Sequence, residues 1–336
     1  MRVLTSALVV VFMAACPAPK PPGEGPGGGG RAGTLDPDSC GNISTSDVGR
    51  KLHAFLVATV ELDRQVTDME MAIKSACKTM GTELQMSATD LDGPTKDLCG
   101  KVWMTLRADL QAGLGTQHYT VDYKPGVCTI DVDAEAKVAA QCEAQASASA
   151  TVTCEGTCTG TCHGTCNGTC AGSPAGGECN GQCQGTCNGS CSGGCQGTSD
   201  VHASAECKAQ AEVHASASMQ CTEPQFTITL PPQGLADQAK ANLAVSAIRK
   251  GMPKVLWAAA RIEPLAHAAK SWATAAGNLA ESGGQLAEQL GEQAICIGGQ
   301  IAAAAAMVAH IQASVSVSVE ISVQASGTVQ GGGGTN

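Results

Sequence analysis

A cysteine at every fourth residue constrains this chain more than any other feature. The positions are Cys154, Cys158, Cys162, Cys166 and Cys170, then Cys179, Cys183, Cys187, Cys191 and Cys195. A glycine follows two residues after each one. Residues 171–178 separate the two runs. Opposed cysteines across that break have position numbers with one constant sum, 349: Cys170 with Cys179, Cys166 with Cys183, Cys162 with Cys187, Cys158 with Cys191, and Cys154 with Cys195. A repeat folded at its middle does this trivially. Two further pairs do not belong to the repeat, yet Cys142 with Cys207 and Cys128 with Cys221 give the same sum. One constant sum over this length predicts one antiparallel hairpin in one register.

The flanks of the repeat carry the same prediction. From Ala134 to Cys154 the even positions are small or apolar, and nearly all odd positions are polar. The return arm from Val201 to Cys221 mirrors this. Glu135-Ala-Lys-Val-Ala-Ala-Gln141 has helical propensity, but alternation kept twice over some twenty residues argues strand. The register also brings together Lys137 with Glu212, Glu135 with His214, Tyr123 with Phe226 and Val121 with Ile228, all favourable cross-strand partners. Glu143 opposite Glu206 is unfavourable. The expectation is a hairpin over 119–230 with a cysteine-rich tip at 154–195. Unbent, Tyr119 to Cys170 would reach about 170 Å at about 3.3 Å per residue.

A tip made of Cys, Gly, Thr, Ser and Asn buries little, and an isolated hairpin is marginal even with good residues. Five disulfide rungs would compensate, each contributing roughly 2–4 kcal/mol before overlap between nested loops. Of the 19 cysteines, 14 enter the seven hairpin pairs. Cys40, Cys77, Cys99 and Cys296 remain besides Cys16, and four cysteines allow three connectivities. The preferred one is Cys77–Cys99 with Cys40–Cys296.

The N-terminus accounts for the odd cysteine and for the compartment. Arg2 precedes a short apolar run, Val3 to Ala15, which ends Met13-Ala14-Ala15-Cys16. This resembles the lipobox of bacterial lipoproteins, with Met where Leu is common. The resemblance implies a signal peptide over 1–15, lipidation (palmitate included) of Cys16 as the new N-terminus, and anchoring to a membrane by lipid. Pro17 after the cysteine, rather than Asp, implies the outer membrane. Residues 16–39, rich in Pro and Gly, read as a tether.

Elsewhere the periods are helical. Residues 40–118 predict two amphipathic helices with a coiled-coil-like seam, the second entered at Pro94. Residues 231–310 are Ala-rich helices interrupted at Gly251, Pro253, Pro264 and Gly283-Gly284. From Ile311 the period returns to two, with Val315, Val317, Val319, Ile321 and Val323 alternating with Ser, Glu and Gln. This predicts a C-terminal strand over 311–329, before a flexible tail at 330–336. The expected fold is α+β: a helical bundle base, a long disulfide-laddered hairpin stalk and a C-terminal strand.

Function is less legible. A formal net charge of −10 argues against nucleic acid as a partner. Three Trp, three Phe and two Tyr leave few anchors for a ligand pocket. His-Glu-x-x-His, Gly-x-Ser-x-Gly, Cys-x-x-Cys and a phosphate-binding Gly loop are all missing. The reading is therefore a non-enzymatic structural stalk or adhesive surface component. No cofactor or metal is expected, and a second copy or a surface partner would cover the apolar faces. The alternatives are a metal-binding cysteine-rich protein, and a membrane-active protein with a helical bundle and a β-tongue.

Overall fold

The computed structural model describes residues 35–143, 151–171, 178–290 and 294–331. Cys16 and the tail at 332–336 lie outside the described residues. The architecture is mixed α+β, with antiparallel strands and a disulfide ladder in the hairpin region.

Helix α1 (Asp47–Glu83) starts at Ser46, whose side chain accepts from the Gly49 N–H, and so satisfies one of the free N-terminal donors. It buries Leu52, Phe55, Thr59, Leu62, Val66, Met69, Ile73, Cys77 and Met80. These fall three and four apart, the spacing of one helix face. Helix α2 (Thr95–Leu114) follows Pro94 as the sequence predicts, and Cys77–Cys99 joins it to α1. Helix α5 (Gln238–Leu290) runs unbroken through Pro253 and Pro264, contrary to the expected interruptions. Packing replaces the lost backbone bonds: Met252, Val255, Leu256 and Leu265 are buried in the shared core. Trp272 of α5 stacks on Phe55 at 6.0 Å, and its Nε1–H donates to Thr59 Oγ1 at 2.8 Å.

The expected C-terminal strand is a helix. α6 spans Ala294–Gly331, and among its described side chains Ile297, Ala304, Ile311, Ser314, Ser318 and Ile321 are buried. Four of these repeat every seven residues, which is a helical seam. Alternation of Ser and Val satisfies a strand pattern, but Ser is small enough to sit at a helix interface, and there the packing decides. Ser314 Oγ donates to Glu70 of α1 at 2.7 Å, and Lys96 of α2 meets Glu320 at 2.8 Å. Cys40–Cys296 ties the start of α6 to the segment before α1.

The hairpin arms are also not continuous strands. At their base, β1 (Thr120–Lys124) pairs with β8 (Gln225–Thr229), and β2 (Cys128–Asp131) with β7 (Gln220–Cys221). Both pairs keep the register in which Val121 faces Ile228, Tyr123 faces Phe226 and Cys128 faces Cys221. Beyond them the arms turn helical: α3 (Val132–Cys142) on one side and α4 (Ala205–Ser218) on the other. The strand expectation for these stretches fails because small alanines permit either period, and helix propensity with a cap then decides. Asp131 accepts from the Asp133 and Ala134 N–H groups, and Val132, Glu135, Ala139 and Cys142 form the buried stripe. Lys137–Glu212 and Glu135–His214 are therefore not cross-strand pairs. The unfavourable Glu143–Glu206 pairing also disappears: Glu143 accepts from the Ser204 N–H at 2.7 Å and faces Lys51 at 3.5 Å.

The tip is four strands, β3 (Thr151–Cys158), β4 (Thr161–Ala171), β5 (Cys179–Ser192) and β6 (Gly194–His202). They join β2 and β7 in a six-stranded sheet of order β4-β5-β3-β6-β2-β7.

Candidate functional site

The structure contains nine disulfides, and the seven in the hairpin region join the pairs whose numbers sum to 349. The other two are Cys77–Cys99 and Cys40–Cys296. Bonded Cα atoms in the tip are 5.7–6.0 Å apart. As disulfides these sulfurs offer no thiolate to a metal ion.

The backbone register of the tip differs from that of its disulfides. Along β3–β6 and β4–β5 the facing residues sum to 353: Thr151 with His202, Cys158 with Cys195, Cys162 with Cys191, Cys166 with Cys187. A second register, summing to 343, operates on the other edge. Cys154 faces Gly189 of β5, while Cys162, His163 and Gly164 of β4 each face two β5 residues. β5 thus runs along both edges of β4. Two arms that pair on both edges wrap round each other, and the difference between registers gives ten residues per turn.

Cysteine points into this double coil. Cys154, Cys162, Cys187 and Cys195 are fully buried, and the disulfides form the core where side-chain carbons would ordinarily pack. Glycine is required where the backbones close on each other. A Cβ on Gly156 would lie 2.1 Å from the Gln196 carbonyl oxygen, and one on Gly168 would lie 2.1 Å from that of Gln184. Glycine faces glycine in the backbone ladder: Gly156 faces Gly197, and Gly164 faces Gly189. The outward rows of β4 and β5 carry no Asp, Glu, Lys or Arg, with Thr161 against Ser192, Thr165 against Asn188, Asn167 against Thr186 and Thr169 against Gln184; Glu155 of β3 is the exposed carboxylate nearer the base.

A second cluster lies between β6, α3, α4 and α5. Glu135 is fully buried, and its Oε1 accepts from Ser199 Oγ at 3.0 Å. Burial, reinforced by the charge of Glu212, pushes its pKa up to about 8. Glu212, also buried, meets His267 Nδ1 of α5 at 3.2 Å and Lys208 at 3.8 Å. That contact to Glu212 raises the His267 pKa against the opposing effect of its burial. Lys208 also pairs with Asp200. Beside the cluster is a cavity of about 300 Å³ lined by Glu155, Ser199, Asp200, Lys208, His267 and Lys270. Ser199 donates to the Glu135 carboxyl group and so joins β6 to α3. The contacts join β6 to α3 and α4, and α4 to α5.

None of the sequence motifs pointed to this cluster. Glu135, Glu212 and His267 are far apart in the chain and obey no spacing rule. The only available signal was polar residues interrupting small-residue stretches.

Compared with known proteins, the chain matches no family model, and no curated protein or solved structure is significantly similar to it. Nine disulfides indicate an oxidising, non-cytoplasmic setting. Among the described residues no helix is long and apolar enough to cross a membrane.

Proposed function

We propose that the protein is a non-enzymatic, lipid-anchored component of the cell envelope, which presents its disulfide-filled coil as a structural or adhesive surface. The observation that carries this reading is the coil itself. Its core is covalent, and the outer rows of β4 and β5 are Thr, Ser, Asn and Gln with no Asp, Glu, Lys or Arg. Such a surface withstands an exposed, oxidising environment and offers many hydroxyls and amides to a polar partner. The helical bundle, tied at Cys40–Cys296 and Cys77–Cys99, is the base that holds it. The anchor rests on Met13-Ala14-Ala15-Cys16, and the tether at 16–39 links that anchor to the base.

The test follows a fatty-acid label and a protease. Wild-type protein and Cys16→Ser are expressed in a bacterial host fed a clickable fatty acid, and membranes are separated from soluble material. Labelled, membrane-bound wild type beside unlabelled, soluble Cys16→Ser is the expected result. Equal membrane partition of both forms would overturn the anchor. Protease applied to intact cells is expected to cleave the exposed chain; protection until the cells are lysed would overturn the surface role and leave an internal structural one.

A further inference from the structure

The disulfide pairing, summing to 349, and the backbone ladder, summing to 353, together give each inner cysteine of the tip two cysteine neighbours on the opposing arm. One is its bonded partner, with a Cα 5.7–6.0 Å away. The other is the residue directly facing it in the backbone ladder: Cys158 faces Cys195, Cys162 faces Cys191, Cys166 faces Cys187, and Cys170 faces Cys183. Facing Cα atoms in an antiparallel ladder lie about 4.5–5.5 Å apart, and a disulfide accepts about 4.4–6.8 Å. Both neighbours are therefore within bonding range. In an ordinary hairpin the next cysteine along the arm would be about 13 Å away, at about 3.3 Å per residue. The coil removes that gap.

We propose that the coil is a thiol relay, in which a thiolate released at one end of the ladder passes through four exchanges to the other end. An outside thiol attacks the Cys179 sulfur, forms a mixed disulfide there, and frees Cys170 as a thiolate. Cys170 attacks Cys183, which it faces, and the Cys183–Cys166 bond breaks. Cys166 then attacks Cys187 and frees Cys162, Cys162 attacks Cys191 and frees Cys158, and Cys158 attacks Cys195 and frees Cys154. Each exchange makes one S–S bond and breaks one, so nothing inside the ladder is oxidised or reduced. The proton lost by the entering thiol is regained at Cys154.

Three observations favour this path. The backbone need not slide, because 353 is already its hydrogen-bonded register. The second edge offers no side branch, since the 343 register sets Cys154, Cys179 and Cys187 against Gly189, Gly164 and Gly156. The sulfurs share one buried core with Cys154, Cys162, Cys187 and Cys195 fully covered, so a thiolate formed there meets the next disulfide before it meets solvent. Exchange proceeds through the thiolate, and the relay therefore slows in acid.

The test uses the whole protein with Cys179→Ser, which leaves five cysteines on the first arm of the tip and four on the second. The folded protein is acid-quenched, alkylated in denaturant and mapped by non-reducing peptide mass spectrometry. The relay predicts alkylation away from Cys170, chiefly at Cys154, with Cys170–Cys183, Cys166–Cys187, Cys162–Cys191 and Cys158–Cys195 linked peptides. Alkylation confined to Cys170 overturns it. A second measurement needs no variant. Wild-type protein is treated with glutathione, and adducts at half-buried Cys166 are isolated. The relay predicts that the accompanying free thiol is Cys179 with a Cys170–Cys183 bond; a free thiol still at Cys183 overturns it.

Discussion

Cys162 faces Cys191 across the backbone ladder of β4 and β5, yet the two are not bonded to each other. Cys162 is joined instead to Cys187, one repeat along the opposing arm. That offset is what an antiparallel pair must adopt when it coils tightly enough for its side chains to meet on the axis. The residues that directly face one another are set by backbone hydrogen bonds; the residues that meet inside are set by the winding. A four-residue repeat reconciles both demands, because a shift of four sets cysteine on cysteine and glycine on glycine again.

The close approach of the two arms makes glycine in the tip unreplaceable, unlike Gly100 of α2. Gly168 has φ +156°, and an added Cβ would sit 2.1 Å from a backbone oxygen that cannot move aside. Gly168→Ala is expected to cost about 2–4 kcal/mol, or to leave the distal rungs unformed. Gly100, in α2, has open space where a Cβ would stand, with nothing within 4 Å, and Gly100→Ala is expected to stabilise by about 0.5–1 kcal/mol. Thermal melts with a free-thiol count distinguish the two.

Glu135 makes stability fall as pH rises. Its folded pKa is about 8, against 4.5 for an ordinary Glu, so folding takes up a proton between those values. The protonated state carries no such penalty below about pH 4.5; the penalty grows as pH climbs to 8 and then levels off. Glu135→Gln keeps an acceptor for Ser199 and removes the charge. At about 1.4 kcal/mol per pKa unit, discounted for coupling to Glu212, it is expected to stabilise by about 2–4 kcal/mol at alkaline pH and to change little in acid. Urea midpoints across the pH range read this directly; equal shifts at every pH would sink the assignment.

His267 works in the same sense by a different route. Its pKa is raised above 6.5 by Glu212, so its contribution is complete below that value and is lost as pH rises through the higher folded pKa. His267→Asn removes the cation that faces buried Glu212. With His267 about one-third exposed, the expected loss is about 1–3 kcal/mol near pH 6. It should shrink as pH rises through the folded pKa and the wild-type imidazole loses its proton. A loss that stays constant with pH would assign His267 a packing role alone.

How much of this was readable follows from which residues are ambiguous. The connectivity was legible because Cys128, Cys142, Cys207 and Cys221 fall outside the four-residue repeat. The winding was not: registers 349 and 353 both set Cys on Cys, and only hydrogen bonds tell them apart. Alanine in α3 and α4 fits a strand's covered face and a helix equally well, so the alternation from Ala134 to Cys142 misled, while the Asp131 cap decided for helix. Glu135 and Glu212 read as solvated polar positions on a strand. Once the arms become helices, the same residues turn inward, and the buried carboxylates arise from that change of period.

Ser318 separates the two periods experimentally. An alternating strand would set Ser314, Ser316, Ser318 and Glu320 together on its polar face, where substitution of Ser318 by another small or apolar residue changes stability little. In α6, Ser318 is fully buried, seven residues from Ile311, and among the described residues its Oγ has no hydrogen-bond partner. A buried hydroxyl without a partner costs stability, and its removal without loss of shape is expected to be neutral or to stabilise. Ser318→Ala should therefore raise stability by about 0.5–1 kcal/mol. Ser318→Leu adds three carbons to a seam built from small side chains and should lower it by about 1–3 kcal/mol. Ser316, exposed one step away, is the control: Ser316→Ala and Ser316→Leu should both stay within about 0.5 kcal/mol of wild type. Chemical denaturation of the four variants gives the answer. Opposite signs at 318 with near-zero values at 316 require a helix there, whereas four near-zero values would restore the strand.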